Sequence, residues 1–297
     1  MASEIAAKFI EGMRSHQKFF LPPADHIAVF REKMYEFISK TPTEPGVSFE
    51  SGQVDGIDIE CAVPDKIEGN DIIYYIHGGG FITGTCSTTR AFTSWLASES
   101  KKRVYSVSYR LAPEYKAPCA IEDCQKVYEW LLSEYPDEKI TLLGDSAGGN
   151  LVLALTLKVK DEGIKLPDLV AAFSPVTGFA ETWPSRKENE ENDPIISGKD
   201  FDQMTKAYAG EDADLYDPYL SPVYGNFRGF PHMMIYADRG EVFFDDSRYL
   251  AEAAIEAGVQ VEYLWSEGLF HAYPAFGGKM IPEAREVMEQ VIARINQ

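Results

Sequence analysis

Ser146 sits in Gly144-Asp145-Ser146-Ala147-Gly148, a Gly-x-Ser-x-Gly pentapeptide whose flanks give it meaning. An apolar run, Ile140 to Leu143, short enough for a buried strand, leads into it, and a helix-forming run, Leu151 to Val159, follows. A sharp strand-to-helix turn strains the backbone and lifts the serine hydroxyl above the sheet edge. Glycines on either side let strand and helix approach each other. The helix then points its free N–H groups at the serine. Such a serine is a candidate nucleophile. The alternative is a small-residue turn that binds nothing, and the partners decide between them.

A serine hydroxyl attacks poorly without a base to take its proton. The chain has five histidines. His16 and His26 fall in N-terminal helical stretches, His77 precedes a run of glycines, and His232 opens a strand, where a structural role is expected. His271, in Gly268-Leu-Phe-His-Ala-Tyr273, follows the last expected strand. In a doubly wound sheet that loop shares the carboxyl edge with the serine turn, so His271 is the candidate base. A carboxylate must hold its tautomer. The loop after strand Met233 to Ala237 offers Asp238, Glu241, Asp245 and Asp246. Acyl transfer also needs donors for a developing oxyanion. His77-Gly78-Gly79-Gly80 follows a strand, so the amides of Gly79 and Gly80, with that of Ala147, are the candidate donors. A phosphate cradle would compete, but there is neither a P-loop lysine nor a G-x-G-x-x-G with a ribose-binding acid. No His, Glu or Cys cluster has zinc spacing, and no cofactor is expected.

These residues need a scaffold. Val47 to Glu50, Ile57 to Val63, Asp71 to Ile76, Val104 to Val107, Ile140 to Leu143, Leu169 to Phe173, His232 to Ala237 and Val259 to Trp265 read as strands. Helical periodicity marks 3–18, 24–40, 91–98, 121–132, 151–159, 245–257 and 283–295. Strands alternating with helices predict an α/β fold with a mostly parallel sheet covered on both faces. Pro175 to Tyr224, rich in Pro, Gly, Asn, Asp and aromatics, interrupts the alternation as an insertion with short helices.

At 297 residues and 45% hydrophobic, the chain suffices for one large α/β domain with an insertion. A net charge of −19 argues against nucleic acid or an anionic membrane as partner. The densest acidic cluster, Glu188 to Asp193, reads as a solvated loop. No signal peptide or membrane-length apolar run is seen, and Cys61, Cys86, Cys119 and Cys124 form neither a metal nor a disulfide pattern. A cytoplasmic protein is expected.

His77-Gly-Gly-Gly80-Phe81, Tyr109-Arg-Leu-Ala-Pro-Glu114 and Gly144-Asp-Ser-Ala-Gly-Gly149 together resemble the hormone-sensitive-lipase-like family of α/β-hydrolase carboxylesterases. Asp217-Pro-Tyr-Leu-Ser-Pro222 and Asp245-Asp-Ser-Arg248 extend the likeness, which runs from about residue 45 to the C-terminus. The resemblance implies an eight-stranded core over 46–177 and 225–297. It also implies a cap made of N-terminal helices (1–45) and an insertion (178–224). Ser146 matches its nucleophile, His271 its base, and Gly79, Gly80 and Ala147 its oxyanion donors; Asp145 and Glu114 match supporting positions. One position departs: the family acid is usually an Asp followed by Pro-Leu, and here the stretch reads Ala237-Asp-Arg-Gly-Glu-Val-Phe-Phe-Asp-Asp-Ser247. Aligning Asp245-Asp246 with the family's helix start puts Glu241 at the acid position, ahead of Asp238, and leaves Asp245 as a helix cap.

The implied activity is serine-dependent hydrolysis of small, short-chain acyl esters without metal or cofactor. A deacetylase or amidase on the same machinery is the alternative. A non-catalytic receptor, like the plant gibberellin receptors that resemble this family, would be expected to lack the base that His271 supplies. Phe81, Phe179, Trp183, Tyr208, Tyr216 and Leu269 are candidates to line the substrate pocket. A homodimer is plausible by analogy alone.

Overall fold

The structure, a computed structural model, describes residues 2–15, Lys18 and residues 21–297. His16 lies outside the described residues; the first helix stops at Arg14, short of the expected residue 18. The strands are β1 Val47–Val54, β2 Ile57–Pro64, β3 Ile72–Ile76, β4 Arg103–Val107, β5 Ile140–Asp145, β6 Leu169–Phe173, β7 His232–Asp238 and β8 Val261–Ser266. The helices are α1 Glu4–Arg14, α2 Ile27–Ile38, α3 Arg90–Ser100, α4 Cys119–Glu134, α5 Ala147–Asp161, α6 Ser185–Glu188, α7 Phe201–Ala209, α8 Phe244–Glu256 and α9 Glu283–Ile295.

The strands form one sheet in the order β1-β2-β4-β3-β5-β6-β7-β8. Only β2 runs antiparallel to its neighbours; the other pairs are parallel. Side chains alternate across the sheet as strand geometry demands. Along β3, Ile72, Tyr74 and Ile76 join a core with Val127 of α4, Leu151 of α5 and Leu250 of α8. Ile73 and Tyr75 face the opposite core, with Trp95 of α3 and Met288 of α9. From β3 the chain steps to β4 on one side, whereas β5 pairs on the other. The carboxyl ends of β3 and β5 therefore flank the point where strand order reverses, the place where α/β sheets open a crevice.

The N-terminal helices brace this edge. Arg31 of α2 donates to the carbonyls of Ile82 and Ala112, both at 2.7 Å, and forms a two-pronged pair with Glu114 at 2.8 Å. Phe9 of α1 packs on Phe270 at 5.7 Å and Phe276 at 5.5 Å.

The segment between β6 and β7 is pinned at several points. The fully buried Asn150 of α5 donates its amide hydrogens to the carbonyls of Val176 and Leu220, each at 2.8 Å. Arg186 of α6 pairs with Asp246 of α8 at 2.8 Å, both out of solvent. Burial pushes the Asp246 carboxyl up, and Arg186 with the amides of Thr177 and Gly178 opposes that. The guanidinium also lies 4.1 Å from the ring centre of Phe201. Asp245 does not cap its own helix as expected. It accepts from the amide of Ser185 at 2.9 Å, while the Ser185 hydroxyl accepts from the amide of Asp245 at 3.1 Å. The starts of α6 and α8 meet there and satisfy each other's free N–H groups.

Removing one partner of a buried ion pair strands the other's charge. Arg186→Met should therefore destabilise the fold by about 3–5 kcal/mol. Urea unfolding measures this; a loss below about 1 kcal/mol would be the value of an exposed pair.

Candidate active site

Ser146 joins β5 to α5 with φ 53° and ψ −117°, a conformation L-residues rarely adopt. Its amide donates to the carbonyl of Phe173 at 2.8 Å. The elbow is seated on the end of β3. A methyl group at Gly148 would lie 2.0 Å from the carbonyl oxygen of Ile76, and one at Gly144 would lie 2.4 Å from that of Gly148. These glycines are required by close packing. Asp145 receives the Tyr75 hydroxyl at 2.5 Å and the Gly78 amide at 3.0 Å, fastening the glycine loop to the elbow.

His77 belongs to the frame. Its Nδ1 lies 2.7 Å from the carbonyl oxygen of Gly78, so Nδ1 carries the hydrogen. Its ring stacks on Tyr109 at 4.3 Å, and the Tyr109 hydroxyl donates to the His77 carbonyl at 2.9 Å. Burial pushes its pKa down to about 4, leaving it neutral. Beyond it, Gly79 and Gly80 adopt φ of 110° and 60°. The carbonyl of Gly79 is held by the amides of Ile82 and Thr83, each at 3.1 Å. The amides of Gly79, Gly80 and Ala147 donate to no described residue.

Glu241 and His271 meet on the same edge. The imidazole Nδ1 lies 3.5 Å from Glu241 Oε2, an ion-pair distance longer than a hydrogen bond. Both side chains are buried. Burial pushes the Glu241 carboxyl up to about 7, against the pull of His271 and Ser174. Burial also opposes charge on His271, yet Glu241 outweighs it and raises the imidazole above its ordinary value. The pair titrates as a unit. Asp238 is occupied elsewhere: it accepts from the Ser266 hydroxyl at 2.7 Å and from the amides of Leu269 and Gly240 at 2.9 Å.

Ser174, at the end of β6, escaped the sequence reading. Its hydroxyl donates to Glu241 Oε2 at 2.7 Å and accepts from the amide of Ala272 at 2.9 Å, joining acid and histidine loop. The only hint was a serine ending the strand beside the elbow strand. Among the described residues, six non-glycines have positive φ, and Phe81, Ser146, Ser174 and Ala272 are four of them. Backbone strain is thus concentrated here.

Ser146, His271, Gly79 and Gly80 line one cavity of about 150 Å³. Of the expected pocket residues, Phe81 and Phe179 line it. Tyr208 stands behind Phe81, stacked at 3.6 Å, and serves as support. Trp183 packs on Tyr249 at 5.1 Å, the exposed Tyr216 on Tyr224 at 5.0 Å, and Leu269 lines other surface hollows. None of these three reaches the cavity. Trp183 is half-buried between Tyr249 and the Arg186 guanidinium, and Asp238 holds the amide of Leu269. In their place stand Ile195, Ile196, Phe201 and Met204 of the insertion, with Val176 and Phe243 from its flanks. The described parts of α1 and α2 contribute nothing to the lining. Among the described residues no group of three His, Cys, Asp or Glu could hold a metal ion, and no helix is long and apolar enough to cross a membrane.

A strained serine beside a buried histidine–carboxylate pair and free amides is suited to acyl transfer. Known proteins agree. The sequence profile of the alpha/beta hydrolase fold family matches residues 73–275. An esterase of Acinetobacter venetianus is 30% identical over 251 residues, 84% of this chain and 82% of that protein. An acetyl-hydrolase of Streptomyces hygroscopicus is 31% identical, over 77% of this chain and 76% of its own. The crystal structure of a hormone-sensitive lipase from a metagenome library superposes with a TM-score of 0.91 at 29% identity, covering 99% of this chain and 98% of that one. The chain belongs to the α/β hydrolase fold family, among the esterases related to hormone-sensitive lipase.

Proposed function

We propose that this esterase is a serine carboxylesterase that hydrolyses small, short-chain acyl esters through an acyl-serine intermediate. The observation that carries the reading is the strained Ser146 sharing a cavity with His271, whose Nδ1 faces the buried Glu241. His271 Nε2 takes the Ser146 proton as Oγ attacks the ester carbonyl carbon. The carbonyl oxygen becomes the oxyanion, received by the amides of Gly79, Gly80 and Ala147. Collapse breaks the bond to the alcohol oxygen, and His271 returns the proton to it. Water then repeats the sequence on the acyl-serine and releases the acid. Glu241 holds the tautomer and stabilises the imidazolium without taking its proton.

Residues 178–224 act as the cap that sets substrate size, because they supply Phe179, Ile195, Ile196, Phe201 and Met204 to the wall. About 150 Å³ is the space that elsewhere accepts a single benzene ring. The name acetyl-hydrolase of one relative refers to a two-carbon acyl group, in keeping with this.

With p-nitrophenyl esters from acetate to decanoate, kcat/KM should peak at acetate or butyrate and fall by roughly tenfold or more toward decanoate. A rate rising with chain length would overturn the size argument. Ser146→Ala should lose on the order of 10⁵-fold or more in kcat, and Glu241→Gln about 10⁴-fold. Asp238→Asn should lower stability instead. Activity retained in Glu241→Gln but lost in Asp238→Asn would transfer the acid role.

His271 must be neutral to act, and its pKa is raised. As pH falls, kcat/KM should therefore decline with a midpoint above the ordinary imidazole value. Glu241→Gln removes the charge that favours the imidazolium and leaves burial, so the midpoint should move to lower pH. An unmoved midpoint would dissociate Glu241 from the base.

A further inference from the structure

The acidic stretch Glu188 to Asp193 is a solvated loop only in part. Glu188 and Glu191 are exposed, but Asp193 is fully buried. Its Oδ1 accepts from the amides of Ile195 at 2.9 Å and Ile196 at 3.1 Å. Its Oδ2 accepts from the amide of Val242 at 3.0 Å. The first two belong to the cavity wall, and the third follows Glu241 in the chain. Four residues earlier, Asn189 donates to the carbonyls of Arg239 and Glu241, both at 2.9 Å, while its own carbonyl receives the amide of Asp193 at 2.9 Å. The insertion thus grips the Glu241 turn at the carbonyl of Glu241 and at the next amide.

Within the turn itself the Gly240 amide donates to the Asp238 carboxylate at 2.9 Å, the Glu241 amide to the Asp238 carbonyl at 3.1 Å and the Phe244 amide to the Glu241 carbonyl at 3.3 Å. Among the described residues no lysine or arginine pairs with Asp193. A buried carboxylate held by amides alone is costly, and an apolar residue would fill the space more cheaply. Three carboxylates bear on His271: Glu241 from the turn after β7, Asp145 from the elbow and Asp193 from the insertion. Phe243 packs its ring against the imidazole at 5.4 Å.

We propose that Asp193 is a positioning residue for the Glu241–His271 pair, tying the acid to the cavity wall at Ile195–Ser197 so that substrate seated on that wall steadies the acid. The proposal rests on the triad reading above. It concerns geometry transmitted through the turn, since Asp193 itself touches neither Ser146 nor the cavity.

The test is Asp193→Asn, made in wild type and in Glu241→Gln, with kcat, KM and the pH profile read on p-nitrophenyl butyrate and folding checked by urea. Asparagine keeps the shape but removes the charge and turns a donor toward one of the amides. In wild type kcat should fall roughly tenfold to a hundredfold with a smaller change in KM, and the acid limb should move to lower pH. In the Glu241→Gln background the same change should cost less than about twofold, because the residue it acts through is gone. If Asp193→Asn does not fold, Asn189→Ala, at a half-buried position, is read in the same way. Wild-type kcat with an unmoved limb in folded protein, or an equal loss in both backgrounds, would overturn the proposal. The triad reading fails separately, if Glu241→Gln alone keeps wild-type kcat.

Discussion

A carboxylate without solvent is the constraint on which this site turns. Glu241 is fully buried, and burial alone pushes its proton affinity toward neutrality. A protonated Glu241 would leave His271 with no charge to stabilise its own. His271 and Ser174 counter that drift, while the charge of Asp193 adds to it. The Ser174 hydroxyl donates to the carboxylate, the imidazole faces it, and a chain of amide and carbonyl bonds fixes the turn on which it rides. The positive φ angles of Ser174 and Ala272 follow from the same need. With both residues so bent, the one Ser174 hydroxyl bonds acid and histidine loop together.

The sheet supplies the reacting groups and the insertion supplies the walls. Ser146, Gly79 and Gly80 follow the carboxyl ends of β5 and β3, at the reversal, and His271 follows that of β8, at the edge of the sheet. Residues 178–224 fill the space above with apolar side chains and leave a cavity with room for a small group. The acid belongs to both. Glu241 stands on the β7 turn, three residues beyond the strand end that Asp238 occupies, and Asn189 and Asp193 of the insertion bond the turn on either side of it.

Most of the core was legible because parallel strands buried on both faces announce themselves as apolar runs. All eight were read, and α9 was bounded to the residue. β1 runs four residues past its expected end, through Ser51-Gly52-Gln53, because its hairpin with β2 is held by backbone pairing that no apolar pattern records. That Ser146, His271, Gly79 and Gly80 would come together was legible from residue type and position after a strand, and they line one cavity. The choice of Glu241 over Asp238 came from register against a family pattern, and the structure brings Glu241 to the imidazole. The pocket lining was read poorly. Trp183 and Tyr216 look like binding residues by type, but the aromatic that reaches the cavity beside the Arg186–Asp246 pair is Phe201. That pair is a contact between residues sixty apart, invisible to local periodicity. Asp193 was misread for the same reason: a charge run looks solvated until its amides are known.

Asn150 has a consequence for how this architecture can vary. Its one amide group holds the carbonyls of Val176 and Leu220, so the chain leaves and re-enters the core at a single point on α5. Whatever lies between those two carbonyls is, for the core, a closed loop. The entropy of closing a loop grows only with the logarithm of its length, by about 0.6 kcal/mol per doubling. The length of such a segment therefore bears little on the sheet, whereas what it returns to the core does: a cation must still meet the buried Asp246, as Arg186 does here. The wall of the cavity can diverge within this one segment while Ser146, His271 and the glycine loop stay where they are.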